Sequence, residues 1–256
     1  TERRLNGRLR IHDDRYAHEV FTEVPFDGLL VSKAIVEGVD ESGKTAKYSL
    51  AQRHRLLRVG VREFFRLDDR LSSAKLSTMG DCGAFSYVGQ PKPPFSVDQV
   101  LDFYEACGFD VGISVDHVIL GFDAGLDDVF PELDVVPKEY LRRQEITIEL
   151  AEEFRRRHRA RKCNFTAMGV AQGWSPASYA KSVRQLQKMG YRRIALGGMV
   201  PLKTPDILSV LGAVDRVRRQ DTSLHLLGVT RTDQIAAFSG FGVTSFDTTS
   251  PFLRAF

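Results

Sequence analysis

The chain has 256 residues, 43% of them hydrophobic and 27% charged, with a formal net charge of only +3. This suits one large α/β domain and excludes a low-complexity chain. No apolar run reaches the roughly 20 residues a bilayer span needs, and the near-neutral charge says little by itself about nucleic acid. The charged opening TERRLNGRLR has no apolar core of a secretory signal, and three scattered cysteines, Cys82, Cys107 and Cys163, form neither a disulfide framework nor a CxxC knuckle. A reducing, cytoplasmic setting is the expectation.

Along the chain, short β-rich runs alternate with longer amphipathic stretches. Strands are expected at 29–31, 76–79, 111–115, 165–170, 194–196, 224–229 and 243–246. Several are continuous apolar runs, as parallel strands covered on both faces should be. An eighth, first strand is expected before Pro25, with 17–24 as its weak candidate. Val97, Val100, Leu101 and Tyr104 recur at helical spacing, as do Tyr179, Val183 and Leu186. Ser175-Pro176 and Thr204-Pro205 look like N-caps before a proline in the first turn, while Gly108 and Gly190 look like C-terminal glycines. The basic run 155–162 reads as the cationic end of a helix rather than a phosphate contact. The long connection 117–137 leaves the end of a strand, where it is either a substrate gate or a plain surface insertion.

Alternating β and α elements imply a parallel sheet, either a barrel or a doubly wound sheet. No GxGxxG or GxxxxGK[ST] supports a nucleotide-binding version. Uncommon polar residues fall where strands end: Asp81, Asp116, Gln172, Gly197-Gly198 and Asp247. Taken singly, each has a plain alternative as a helix cap or tight turn. On one rim, they form the constellation of a barrel active site.

Five segments carry a resemblance. Gly80-Asp81-Cys82-Gly83-Ala84-Phe85, Gly169-Val170-Ala171-Gln172-Gly173, Leu196-Gly197-Gly198-Met199, Leu227-Gly228-Val229 and Phe246-Asp247 stand in the order of the DSGGF, GIVQGG, GGLAVGE, LMGVG and FDCV motifs of tRNA-guanine transglycosylases. The likeness spans about 76–247, and GDCGAFSY and SFDTTSPF resemble the DNA-modifying, DpdA-like branch. It implies a (β/α)8 TIM-like barrel, incomplete at its termini, forming a single domain over 1–256. The implied activity is that of a pentosyltransferase, replacing guanine in DNA with a 7-deazaguanine. Asp247 is then the nucleophile that takes the sugar C1′ and expels guanine, and Asp81 the general acid/base. Asp116, Gln172 and the backbone of Gly197 and Gly198 read the base edge, while Phe85 and Leu227 cover its faces. A carboxylate nucleophile splits one hard substitution into two, and a second carboxyl exchanges the proton. The target base must be flipped or single-stranded.

Three departures qualify the resemblance. The family's zinc-binding cysteines and histidine follow the last barrel strand, but only nine residues follow Asp247 here, so no zinc subdomain and no cofactor are expected in this chain. Ser86 stands in place of a glutamine. Lys203 stands in place of a glutamate, which implies a neutral, nitrile-bearing 7-deazaguanine (preQ0-like) rather than the cationic aminomethyl form. The alternatives are the same exchange on tRNA and a non-catalytic nucleic-acid-binding paralogue. A barrel aldolase or phosphate-binding synthase is weighed too, but the nearest candidate for its strand lysine, Lys33, reads as structural or solvent-facing. Nucleic acid and the free base are the expected partners. Whether an ATPase partner opens the duplex is left open.

Overall fold

The computed structural model describes residues 3–5, 8–10, 15–21, 24–40, 45–67, 76–128, 135–229 and 231–249. A short antiparallel ribbon, β1 (Arg3–Leu5) and β2 (Arg8–Arg10), precedes a helical turn, α1 (Ala17–Val20). The main body is a seven-stranded parallel sheet in sequential order: β3 (Gly28–Ser32), β4 (Ser77–Asp81), β5 (Val111–Ile113), β6 (Thr166–Ala171), β7 (Arg193–Leu196), β8 (Ser223–Leu226) and β9 (Val243–Phe246). Helices fill the crossovers: α2 (Lys33–Glu37) and α3 (Leu50–Phe64), α4 (Val97–Cys107), α5 (Lys138–Arg161), α6 (Pro176–Lys188), α7 (Thr204–Asp215) and the short α8 (Ile235–Ser239). Strict sequential order with one crossover per strand is the winding of a TIM-like barrel, here with seven strands and no closing pair among the described residues.

All seven expected strands form. The eighth does not form among the described residues: 17–20 make α1, where the Tyr16 amide donates to the Glu19 carboxylate and tightens a turn instead of joining the sheet, and 22–23 lie outside the described residues. The first parallel strand is therefore β3. Two strands end earlier than their apolar runs suggest. After Ile113, Val170 N–H donates to the Ser114 hydroxyl instead of a ladder carbonyl. After Leu226, the chain turns at Gly228, whose φ is +71°. Ser175 caps α6 as expected, but α7 begins one residue early, with Lys203 at its N-cap in place of Thr204.

Side chains aligned across a parallel sheet share a face, and each strand alternates faces with period two. One face is lined by Leu30, Met79, Val111, Ile113, Met168, Val170, Ala195 and Leu227, which pack together as the barrel interior. The other face meets the helices. There Tyr104 of α4 rests against β4 and β5 at Gly80 and Gly112, where an added Cβ would lie 2.5 and 2.6 Å from its ring, and its hydroxyl donates to the Ile113 carbonyl. Val97, Val100, Leu101 and Tyr104, and Tyr179, Val183 and Leu186, are all buried on this side.

The basic run closes α5 as expected. Arg157 pairs with Glu153 and Asp98, Arg161 pairs with Asp102 and Glu105, and Arg155 donates to the Gly190 carbonyl. These bonds tie α5 to α4 and the α6–β7 turn, so this is a structural seam. Lys33 is not solvent-facing. It is buried, paired with Glu37 and set over the rings of Phe95 and Phe103. The connection 117–137 is only partly described. Its first half is anchored, with Val118 and Ile119 buried and Asp123 N–H donating to the Trp174 carbonyl, while 129–134 lie outside the described residues.

Candidate active site

The interior face fixes which rim residues converge. Met79 points inward, so Asp81, two residues on, does too. Val170 points inward, and Gln172 follows it by two. His225 aligns with Ala195, and Ser245 with His225, so Ser245 and then Asp247 share that face. Parallel strands place all these ends at one mouth.

Asp81 closes β4 and accepts the Gly83 amide at 2.8 Å. Burial pushes its carboxyl up to about 7, aided by the negative charges of Asp116 and Asp247. β4 and β9 are five positions apart in the strand order, roughly 24 Å along a flat sheet at about 4.8 Å per strand. Only a curled sheet lets Asp247 act on Asp81 across the mouth.

Asp116 is buried and held from several directions. Gln172 Nε2 donates to its Oδ2 at 2.6 Å, the Cys82 thiol lies 3.3 Å from Oδ1, and the Tyr87 hydroxyl donates to its carbonyl. Burial dominates and leaves its carboxyl at about 6. Gln172 Oε1 accepts the Ile119 amide at 3.1 Å, so the glutamine joins the β5 and β6 loops. Gly197 makes room for it, since an added Cβ would lie 2.1 Å from Gln172 Nε2. The Gly197 amide serves the sheet ladder, donating to Ala171, and its carbonyl accepts the Tyr179 hydroxyl. Gly198 adopts φ +71°, and a Cβ there would lie 2.3 Å from the Ile119 carbonyl.

Asp247 follows β9. Its Oδ1 accepts the Gly228 amide at 2.9 Å and lies 3.2 Å from His225 Nε2. Phe85, on the 3-10 turn Ala84–Tyr87, is 53% exposed, whereas Leu227 packs into the interior cluster. The structure thus links Asp81, Asp116, Gln172, the Gly197-Gly198 turn and Asp247 at one rim. It gives no direct contact joining Phe85 to them. A cavity of about 360 Å³ nearby is lined by His117, Glu139, Arg142 and Arg143 and by none of the expected base-binding residues.

Sequence reasoning missed His225, Ser245, Cys82 and Tyr87. The first had a signal: a histidine inside the otherwise apolar run Leu224–Leu227. The others matter only through contacts that spacing does not reveal.

Among the described residues, the metal-type donors that cluster are Asp81, Cys82 and Asp116, with their ligand atoms within 4.8 Å of one another. Burial pushes the Cys82 thiol well up, and the thiol donates to Asp116. Cys107 is buried on α4 and Cys163 precedes β6, so the chain's cysteines do not make up the implied zinc set.

A sequentially wound parallel sheet with Asp81 and Asp247 both at its C-terminal mouth defines the class as a TIM-like barrel with acidic groups where such folds carry their sites. Comparison with protein families narrows it. Residues 94–255 match the family described as TGT, queuine tRNA-ribosyltransferase, and the chain belongs to that family. A curated relative from Salmonella montevideo, "DNA-guanine transglycosylase", is 46% identical over 255 residues. The alignment takes in 100% of this chain and 58% of the relative, so the chain spans little more than half of that protein's length.

Proposed function

We propose that the chain exchanges a guanine of DNA for a neutral 7-deazaguanine through a covalent Asp247–deoxyribose ester. The observation that carries this reading is the disposition of Asp81 and Asp247 across one mouth, one carboxyl raised to about 7 and the other anchored through a single oxygen. Asp247 attacks C1′ as the bond to guanine N9 breaks. The bonding pair leaves with guanine, which takes the Asp81 proton. The incoming base then yields its N9 proton to Asp81 and attacks C1′, and the ester bond breaks to restore the Asp247 carboxylate. Each half is a substitution at one carbon, and Asp81 carries the proton between them.

Asp116 and Gln172 face the base edge in this reading, with Gly197 and Gly198 keeping the space clear and Phe85 and Leu227 on the base faces. DNA is favoured by the relative named for DNA. The family's description, which names a tRNA, supports the second reading, the same exchange on tRNA. The presence of both aspartates speaks for catalysis over a binding-only role. The base must leave its stack to reach the mouth, so a duplex substrate calls for flipping or for an ATP-driven partner that opens it. No described helix is long and apolar enough to cross a membrane. A cytoplasmic setting goes with free thiols and a DNA substrate.

The test is incubation of the full-length protein with radiolabelled guanine and either DNA or tRNA. The proposal expects label in DNA. Label entering only tRNA replaces it with the second reading, and label in neither polymer contradicts both.

A further inference from the structure

A nucleophilic carboxylate needs an orientation as well as a charge. We propose that His225 is a positioning residue for Asp247, fixing Oδ1 so that Oδ2 is the oxygen that attacks C1′; the proposal rests on the reading of Asp247 as nucleophile.

The geometry begins with a bulge. Between β8 and β9 the register slips, so that Leu224 aligns with Val243 but His225 aligns with Ser245. Thr244 is the extra residue. A slip of one residue moves every later side chain to the opposite face. Here it turns Ser245 and Asp247 to the interior, beside His225. The imidazole then spans both: Nδ1 lies 2.8 Å from Ser245 Oγ and Nε2 lies 3.2 Å from Asp247 Oδ1.

These bonds assign the proton on the ring. A carboxylate only accepts, so Nε2 carries the hydrogen that Asp247 receives. In the neutral ring, Nδ1 is left with a lone pair, which the Ser245 hydroxyl supplies with a hydrogen. The ring is 3% exposed and stands on β8, which is paired on both sides by β7 and β9. Gly228 N–H donates to the same Oδ1, at 2.9 Å. Two donors from β8 and the turn after it therefore hold one carboxylate oxygen, while Oδ2 has no partner among the described residues.

Each half of the exchange uses this arrangement. In the first, the fixed Oδ1 aims Oδ2 at C1′. In the ester, Oδ1 is the carbonyl oxygen. As the second base attacks C1′ and the ester bond breaks, charge returns to the carboxylate, and the two donors receive it at Oδ1. Asp81 alone exchanges a proton with the two bases, and His225 keeps its own throughout.

The test compares three variants of the full-length protein: His225→Leu, His225→Gln and His225→Asn. Gln can place an N–H near the Nε2 position, facing Asp247, and Asn near the Nδ1 position, facing Ser245. The readouts are the single-turnover rate of covalent protein–DNA adduct formation at saturating DNA, the DNA affinity and the melting temperature. A hydrogen bond to a charged group is worth about ten- to hundredfold in rate. The Leu and Asn variants should slow adduct formation by that factor with DNA affinity within about twofold, and Gln should recover most of the rate. Equal rates for Gln and Asn, or rates that only follow melting temperature, overturn the proposal. Asp247→Asn is run beside them. An adduct in that variant removes the nucleophile reading itself, whereas no adduct there with equal Gln and Asn rates removes only the role of His225.

Discussion

Asp81 and Asp247 share one mouth, and burial of Asp81, followed by the negative charges of Asp116 and then Asp247, holds a proton on Asp81 up to about pH 7. An unfolded chain releases that proton near 3.9. The folded protein therefore binds more protons between these values, so its stability falls as pH rises through that window and the full cost is present above about 7.

Asp81→Asn removes that cost. It should melt above the unsubstituted protein at pH 8, with the gap closing as pH falls toward 4, in thermal unfolding followed across pH. A gap independent of pH speaks against a proton held by Asp81. The same proton serves guanine release, so the release rate should decline as pH rises through about 7 and lose that limb in Asp81→Asn. The variant should also react about 10² to 10⁴ times more slowly, as loss of a general acid typically does, with binding retained.

The two glycines after β7 should respond differently to alanine. Gly198→Ala meets both a positive φ and a backbone carbonyl 2.3 Å from the new Cβ, so nothing flexible can yield. It should cost about 2 kcal/mol or more of stability, measured by denaturant unfolding. Gly197→Ala instead meets the end of Gln172, which can move only by leaving Asp116. Its main effect should be on the incoming base, with KM raised about tenfold or more and a smaller loss of stability. Equal stability losses with an unchanged KM contradict the role of Gln172.

The shared rim of this site is legible in the sequence. Strand ends are marked by where apolar runs stop, and a parallel winding puts those ends on one rim, so Asp81, Asp116, Gln172 and Asp247 were readable as a set. The apolar run 224–229 reads as one strand because sequence does not show that the Gly228 amide leaves the ladder for Asp247. His225 stayed hidden for a related reason. Its partner is chosen by the bulge at Thr244, a one-residue slip with no compositional mark. The described start of the expected first strand, 17–20, is helical because it has too few strand-forming residues to outweigh a local turn closed by Glu19.

Lys203 bears on the choice of base. It is exposed at the start of α7, with its backbone amide bonded to Asp206. A like charge at 4 Å costs about 4 kcal/mol at an effective dielectric near 20 but only about 1 kcal/mol in bulk water. An exposed lysine should therefore disfavour the aminomethyl base modestly. In competition between the nitrile and aminomethyl 7-deazaguanines, the nitrile form should win, and Lys203→Glu should narrow its lead by about fivefold. Equal or better use of the aminomethyl base by the unsubstituted protein contradicts this, and a preference unchanged in Lys203→Glu removes Lys203 as its cause.

The covalent ester is the central claim, and mapping it is the most direct measurement. The full-length protein is mixed with guanine-containing DNA without an incoming base, denatured and digested, and the peptide carrying deoxyribose is located by mass spectrometry. The account predicts a single modified residue, Asp247, absent in Asp247→Asn and still formed, slowly, in Asp81→Asn. Modification of any other residue, or an adduct that survives Asp247→Asn, contradicts it.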